Sequence, residues 1–245
     1  MELRICKNSE ELGKSAAKHV AQVLRDVIAE KGYARLCLST GASQFDTLKA
    51  LVEEPGVEWN KVEMFHLDEY VDLPITHVAS FRKYLQERFV DKVGPLKAVN
   101  FVDGTKECIA KLTEEIRKEP IDIGLIGIGE NAHIAFNDPP ANFDTKEAYI
   151  IVDLDERCKK QQMGEGWFAT IDDVPKQAVS MTTYQIMQCK RIVSCVPNAV
   201  KAEAIKNTLS AKEVTPMVPA TLLSTHPDWL LYVDENSASG ILNLN

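Results

Sequence analysis

The chain has 245 residues, of which 45% are hydrophobic and 26% charged, a composition typical of a folded globular protein rather than a disordered or fibrous one. Its 28 Lys and Arg residues against 36 Asp and Glu residues give a net charge of −8, which argues against a nucleic-acid partner because phosphate neutralisation needs a basic face. No apolar run reaches the roughly 20 residues needed to cross a bilayer, and the N-terminus has no signal-peptide pattern, so we expect a cytoplasmic protein without a membrane partner.

The first half of the chain alternates short apolar runs with longer segments of helical period. Leu3 to Cys6 predicts a strand, followed by a helix that begins after the N-cap Asn8, with Glu11 at the capping-box position, and ends at Gly32. The same pattern then predicts a strand at 34–39, a small-residue turn at 40–43, a helix through 46–52, a strand at 62–67 and a helix at 80–90.

The second half continues this alternation. It predicts strands at 98–102, 121–127, 149–152, 178–181, 191–196 and 230–233, helices at 105–118 and 199–209, and a polar stretch that includes 164–168. We therefore predict a single α/β domain over residues 1–245, a three-layer α/β/α, Rossmann-like architecture with a mainly parallel sheet. Ligands of such sheets bind in the crevice outside the carboxyl ends of the strands, where three polar clusters of this sequence are expected.

The six cysteines include no Cys-x-x-Cys pair and no His/Cys cluster at zinc-ligand spacing, so the sequence predicts neither structural disulfides nor a metal site. Three of them, Cys6, Cys37 and Cys195, lie in strand-like apolar runs. A thiol in such a run behaves as a small hydrophobe, and we expect these three to be buried in the core.

The first polar cluster is a strand-to-helix turn of small residues, Ser39-Thr40-Gly41-Ala42-Ser43. Backbone N–H groups and hydroxyls at such a turn can bind an anion at the start of a helix. The turn lacks the spacing of a nucleotide P-loop and of a dinucleotide fingerprint, so an ordinary turn with Ser43 as helix N-cap is an equal alternative.

The second cluster, His66-Leu67-Asp68-Glu69-Tyr70, places two adjacent carboxylates where a predicted strand ends. Neighbouring side chains of an extended segment point to opposite faces, so one of Asp68 and Glu69 is expected to face the crevice while the other serves structure. We choose Asp68, because a partly buried carboxylate there can act as a general base on a carbon acid. The alternative is a solvated acidic turn.

The third cluster runs from Gly127 to Pro140 and contains His133 among glycines, amides and acids. Imidazole is the side chain best suited to proton transfer near neutral pH, so a positioned catalytic loop is favoured over a purely structural histidine. His19 and His77 are interpreted as surface residues, and His226 before Pro227 as a structural turn residue.

Taken in order, these clusters resemble a known family. The motifs Ser-Thr-Gly, Leu-Asp-Glu-Tyr and Gly-x-Gly-Glu-Asn-x-His-Ile-Ala-Phe-Asn-Asp-Pro are similar to those of the glucosamine-6-phosphate deaminase/isomerase family, which shares a fold with the 6-phosphogluconolactonases. The resemblance extends from the first helix to the last strand. It implies a sugar phosphate as the small-molecule partner and a reaction that needs no metal or organic cofactor.

The resemblance also implies roles for individual residues. Asp68 matches the general base that moves a proton between C2 and C1 of the opened sugar, and His133 matches the histidine that assists ring opening. Lys201 matches the lysine that pairs with the phosphate, although without the resemblance it would be interpreted as an exposed helix lysine. The other predicted substrate-binding residues are Ser39, Thr40, Gly41, Ala42, Ser43, Glu69 and Gln162.

Three positions depart from the family pattern. Asn131 and Asp138 stand where the well-studied deaminases carry an aspartate and a glutamate, and Gln162 stands where the family has a phosphate-binding arginine. An amide cannot ionise, but Asn131 can still orient the imidazole ring or bind a sugar hydroxyl. We keep Asn131, Asp138 and Glu130 as candidate catalytic residues, with Glu130 as an alternative source of the carboxylate. The candidates that could compensate for Gln162 are Arg157 and Lys160.

These residues are compatible with three functions. The leading hypothesis is deaminating isomerisation of glucosamine 6-phosphate, or of galactosamine 6-phosphate, to a ketose 6-phosphate and ammonia. The second is a 6-phosphogluconolactonase-like hydrolase in which His133 activates water, and the third is a phosphosugar-binding protein that has lost catalysis through Asn131. Family members occur as monomers and as larger assemblies, so a homo-oligomer stays open.

Overall fold

A seven-stranded parallel sheet forms the centre of the chain. The computed structural model describes residues 1–164 and 166–242, except for the side chain of Lys106. Its main sheet has the strand order β1-β10-β9-β6-β2-β3-β5, and each neighbouring pair is parallel. These strands are β1 (Glu2–Cys6), β2 (Ala34–Leu38), β3 (Val62–His66), β5 (Ala98–Asn100), β6 (Ile123–Leu125), β9 (Ile192–Val196) and β10 (Trp229–Asp234).

A smaller antiparallel sheet lies beside the main one, with the order β4-β8-β7. It contains β4 (Asp68–Tyr70), β7 (Tyr149–Asp153) and β8 (Gln177–Met181). The chain leaves the main sheet after His66 and pairs Asp68 with Ser180, so the predicted strands are divided between two sheets. Strand β7 alternates between more and less buried residues, which is typical of an antiparallel sheet with one exposed face. Strands β2, β3 and β9 are buried throughout, which is typical of a parallel sheet covered on both faces.

Helices cover both faces of the main sheet. On β2, Leu36 and Leu38 pack toward one hydrophobic cluster and Cys37 toward the other, because alternate residues of a strand face opposite sides. The mainly parallel three-layer α/β/α fold is thus confirmed. The helices are α1 (Ser9–Lys31), α2 (Phe45–Glu53), α3 (Phe81–Leu85), α4 (Asp91–Val93), α5 (Lys106–Ile116), α6 (Glu156–Gly164), α7 (Thr183–Ile186) and α8 (Ala202–Ser210).

Helix α1 begins and ends where the sequence predicts. Asn8 Oδ1 accepts a hydrogen bond from Glu11 N at 2.9 Å, and Gly32, at φ 89°, donates its N–H to a carbonyl of the last turn. In its first turns, α1 approaches the start of α2 so closely that a Cβ on Gly13 would lie 2.6 Å from the Asp46 carbonyl carbon. This close approach fixes the helix that follows the small-residue turn.

Several segments differ from their predicted secondary structure. The predicted helix at 80–90 begins as α3 and continues through a π-helical turn at Gln86–Val90 into α4. Helix α6 lies in the polar region after β7. The sequence predicts no helix there, because this segment buries little of its surface, chiefly at Cys158 and Gln162.

At the amino-terminal edge of the sheet, Arg35 is buried and makes a network of polar contacts. Its Nε donates to Glu63 Oε2 at 3.1 Å, and its Nη atoms donate to main-chain carbonyls near the end of α5, including Glu115 O at 2.6 Å. This network ties β2, β3 and α5 together on the side opposite the carboxyl ends of the strands.

All six cysteines are free thiols, and Cys6, Cys37 and Cys195 are buried as predicted. Within residues 1–164 and 166–242, no helix combines the length and apolar character needed to cross a membrane. The same residues contain no group of three or more His, Cys, Asp or Glu side chains that could hold a metal ion.

Candidate active site

A cleft opens at the carboxyl ends of four adjacent strands, β9, β6, β2 and β3. It encloses about 870 Å³ of empty space that is continuous with solvent. The three predicted polar clusters contribute to it together with Lys201. The predicted site residues that line it are Ser39, Thr40, Gly41, Ala42, Ser43, Asp68, Glu130, His133, Gln162 and Lys201.

The small-residue turn forms one wall of the cleft. Gly41 has φ 101°, a left-handed conformation that favours glycine, and the chain then makes a short 3₁₀ turn at Ala42–Gln44 before α2. Gln44 Nε2 donates to Ser43 Oγ and to the carbonyl of Cys195, both at 3.0 Å, so the Ser43 hydroxyl proton is left to donate elsewhere. No α2 cap involves Ser43, because the residue before α2 is Gln44.

Ser39 adds a second hydroxyl to this wall. Its Oγ is buried and, within the described part of the chain, has no hydrogen-bond partner. A buried hydroxyl without a partner is costly unless a ligand or water satisfies it. The two hydroxyls therefore suit an oxyanion such as a phosphate.

Lys201 places a positive charge beside the same cleft. It is only 8% exposed, unlike an ordinary surface lysine, and lies at the end of a 3₁₀ turn before α8. The turn starts at Asn198, which has φ 79° and donates its main-chain N–H to both oxygens of buried Asp234 at 3.1 Å. Arg157 and Lys160 are exposed and do not line the cleft, so neither compensates there for Gln162.

Asp68 is the buried carboxylate of the cleft. It is the first residue of β4 and is 8% exposed. Burial, with a smaller effect of the nearby Glu69 charge, raises its pKa from 3.8 to about 8. A carboxyl group of this kind can exchange a proton with a weak carbon acid at near-neutral pH.

Glu69 points away from the cleft, into the protein. Its carboxylate accepts hydrogen bonds from Ser80 Oγ at 2.8 Å, from Arg82 N at 2.9 Å and from Arg82 Nε at 3.1 Å. The predicted substrate contact of Glu69 is therefore replaced by a structural role at the start of α3. The physical reason is strand alternation, which places adjacent side chains on opposite faces.

His133 is held from one side by an amide and a carboxylate. Its Nδ1 lies 2.7 Å from Asn131 Oδ1 and 3.1 Å from Asp138 Oδ1, while Asn131 Nδ2 donates to Asp138 Oδ1 at 2.9 Å. Burial alone would raise the pKa of Asp138, but the hydrogen bond and charge of His133, together with the Asn131 amide, lower it to about 2. Asn131 thus orients the ring, and Asp138 rather than the exposed Glu130 supplies the adjacent carboxylate.

The loop around His133 is shaped by close backbone packing. A Cβ on Gly129 would lie 2.2 Å from the imidazole ring, so only glycine allows the ring to rest against this backbone. Ala132 and Ala135 have φ values of 65° and 50°, conformations that are uncommon for alanine and are typical of functional sites.

Sequence reasoning missed several residues of the cleft. Phe81 and Phe136 stack at a centroid separation of 5.8 Å and form an apolar wall, and Gln161 and Asn198 also line the cleft. Phe136 lies inside the third cluster and could have been found there. No sequence motif marks Phe81 or Gln161, because they reach the cleft from α3 and α6 rather than from the predicted polar clusters.

Comparison with known proteins agrees with this geometry. Residues 7–231 match the family of glucosamine-6-phosphate isomerases/6-phosphogluconolactonase. The chain belongs to this family. A glucosamine-6-phosphate deaminase of Shouchella clausii is 35% identical over 242 residues, which cover 95% of this chain and 94% of the relative. One from Clostridium botulinum is 32% identical over 250 residues, covering 98% and 96% of the two chains.

Solved structures of the family extend the comparison. A monomeric glucosamine-6-phosphate deaminase superimposes with a TM-score of 0.86 at 27% identity, covering 98% of this chain and 100% of that one. A 6-phosphogluconolactonase from Thermotoga maritima has a TM-score of 0.76 at 16% identity, with coverages of 95% and 99%. The second similarity establishes a shared fold alone.

Proposed function

We propose that this family member is an amino-sugar-phosphate deaminase/isomerase that converts glucosamine 6-phosphate, or galactosamine 6-phosphate, to a ketose 6-phosphate and ammonia. The observation that carries the proposal is the meeting of Asp68 and His133 in one cleft with the hydroxyl-rich turn and Lys201. The names of the two curated relatives described above support the same reaction class. A cytoplasmic location and a sugar phosphate as the partner complete the proposal.

The phosphate binds at the Ser39–Ser43 turn, where Lys201 neutralises part of its charge. A neutral turn and one ammonium group make a local positive region in a chain of net charge −8, which favours an anionic substrate at this point of the surface. Anchoring the phosphate leaves the sugar carbons to extend toward Asp68 and His133. This arrangement converts binding energy into alignment of the reacting atoms.

His133 acts first, on the closed sugar. Because Nδ1 is engaged by Asn131 and Asp138, Nε2 is the ring nitrogen available to the substrate. It accepts the proton of the C1 hydroxyl and returns it to the ring oxygen, which opens the pyranose to the aldehyde.

Asp68 acts on the open chain. In its ionised form it removes the C2 proton while the ammonium group on C2 gives a proton to the C1 oxygen, which yields an enolamine, and the protonated carboxyl then donates its proton to C1. The resulting C2 imine is hydrolysed by water to the ketose and ammonia. The sequence of proton transfers is balanced and uses no metal or organic cofactor.

The test is an assay for ammonia coupled to detection of the ketose 6-phosphate. Purified protein is given glucosamine 6-phosphate and galactosamine 6-phosphate in parallel, with 6-phosphogluconolactone as a control substrate. Ammonia from either amino sugar is the expected result, and its loss in Asp68→Asn with substrate binding retained assigns the base. Turnover of the lactone alone would replace the proposal by the hydrolase, and binding without turnover of any substrate would replace it by a phosphosugar-binding protein.

A further inference from the structure

Tyr70 links the strand that carries Asp68 to helix α6. The two residues lie on the same face of β4, since side chains two apart in a strand point the same way. Tyr70 is fully buried, and its hydroxyl lies 2.7 Å from Gln162 Oε1 of α6. Gln162 is itself buried and lines the cleft.

The Tyr70 ring is fixed by aromatic side chains from the other segments of the site. Its centroid lies 5.0 Å from that of Phe81 at the start of α3, 5.4 Å from Phe136 in the His133 loop, and 5.4 Å from Phe168 after α6. Aromatic pairs at these separations attract each other beyond their apolar burial. The ring that carries the hydroxyl is therefore held in place by three segments, one of which is the His133 loop.

We propose that Tyr70 is a positioning residue, which holds Gln162 with its amide NH₂ group directed into the cleft as an uncharged donor to a substrate oxygen. This inference rests on the proposed function, because it names a specificity contact of the same site. The hydroxyl donates to Oε1, and a side-chain amide whose oxygen is so engaged can offer only its nitrogen to a ligand. Within the described residues, the amide nitrogen has no hydrogen-bond partner.

Helix α6 provides little rigidity of its own for such a contact. It packs few apolar side chains, and Cys158 and Gln162, one turn apart, are its buried residues among those described. Without an anchor, the long Gln162 side chain would sample several rotamers and pay the entropy of ordering when substrate binds. The hydrogen bond from the Tyr70 hydroxyl fixes the amide before substrate binds, so less side-chain entropy is lost on binding.

The first experiment compares Tyr70→Phe with wild type in the ammonia assay. Phenylalanine keeps the aromatic packing and removes the hydroxyl. We expect KM for the amino-sugar phosphate to rise about tenfold, the factor that corresponds to one neutral hydrogen bond, with kcat changed less than about twofold. Tyr232→Phe, which removes another tyrosine hydroxyl from a residue outside the cleft, should leave both parameters unchanged.

A double-mutant cycle separates positioning from general stabilisation. In a Gln162→Leu background, Tyr70→Phe should have no further effect on kcat/KM, because the group that it positions is gone. Gln162→Glu keeps an acceptor for the tyrosine hydroxyl but loses the NH₂ donors, so its KM should rise at least as much as that of Tyr70→Phe. Additive losses from Tyr70→Phe and Gln162→Leu, or a Gln162→Glu enzyme with normal KM, would overturn the proposal.

A spectroscopic measurement keeps this test independent of the proposed function. In ¹H–¹⁵N spectra of protein labelled at glutamine side chains, the Gln162 NH₂ signals, identified by their absence in Gln162→Leu, should shift in Tyr70→Phe and not in Tyr232→Phe. They should shift again when glucosamine 6-phosphate is added to wild type. Absence of ammonia release with these shifts present would refute the proposed reaction alone, whereas unshifted signals in active enzyme would refute the role of Tyr70 alone.

Discussion

Replacing Asp68 by asparagine is expected to stabilise the fold while it removes the proposed base. In the folded chain, burial and then the charge of Glu69 raise the pKa of Asp68 from 3.8 to about 8. In the unfolded chain the carboxyl group is in water and ionises at its ordinary pKa. Folding at neutral pH must therefore protonate this group, which lowers the free energy of unfolding.

The size of this effect follows from the two pKa values. Below about pH 4 the group is protonated in both states, so its contribution to stability is fully present there. As the pH rises from about 4 to about 8, Asp68 is ionised in the unfolded state and protonated in the folded state. The free energy of unfolding then falls by about 1.4 kcal/mol per pH unit, and the accumulated loss is about 4 kcal/mol at about pH 7. The amide of asparagine does not ionise and so avoids this loss, although burying the amide has its own desolvation cost. We therefore expect the free energy of unfolding of Asp68→Asn to exceed that of wild type by about 2 to 4 kcal/mol at neutral pH.

Urea unfolding of wild type and Asp68→Asn, measured from about pH 5 to about pH 8, checks this prediction. The stability difference should widen with pH across that range. Asp138→Asn is a matched control of opposite sign, because the pKa of Asp138 is lowered to about 2 and its stabilising contribution is complete above about pH 4. That variant should be less stable than wild type by a nearly constant amount. A difference at Asp68 that does not change with pH would refute the reasoning.

The remaining predictions concern turnover and the opposite edge of the sheet. Since the proposed base acts when ionised, kcat should rise with pH until Asp68 is deprotonated near pH 8, and a flat profile from about pH 6 to about pH 9 would contradict the assignment. Gly129→Ala should lower kcat in the ammonia assay at least about 100-fold, because the added Cβ displaces His133. The control Gly164→Ala has open space around its Cβ and should leave kcat unchanged. Arg35→Met should lower the free energy of unfolding by about 3 to 5 kcal/mol in urea, because it leaves main-chain carbonyls at the end of α5 without their donor and leaves Lys97 as the remaining cation beside the Glu63 carboxylate; a loss below about 1 kcal/mol would refute that account.

Local patterns in the sequence were sufficient for much of the fold. The caps of α1 are encoded within a few residues of each end, and the small-residue turn, Asp68 and His133 follow strands whose apolar runs are unmistakable. Because the strands are parallel and adjacent, their carboxyl ends lie at one edge of the sheet. The clusters that follow these strands can therefore be predicted to lie together from the fold class alone. The predicted family and fold are confirmed by the family match and by the solved structures.

Other features depend on contacts between distant parts of the chain. The burial of Lys201 depends on the backbone of Asn198 and on Asp234, which is 36 residues further along. The pairing of Asp68 with Ser180 is still more remote in sequence, and it moves β4 into the second sheet. Helix α6 escaped prediction because its stability comes from a few buried contacts rather than from an apolar stripe.

The position of Asp68 at the junction of two sheets has an evolutionary consequence. The wall proposed to bind the phosphate and Lys201 extend from the main sheet, whereas Asp68 and Tyr70 belong to the small antiparallel sheet. Under the proposed function, mutations in the small sheet can therefore alter which bond is attacked without rebuilding the wall proposed to bind the phosphate. A scaffold divided in this way can acquire a new reaction on the same class of phosphorylated sugars, and chimeras that exchange only the small sheet would be the natural starting point for directed evolution.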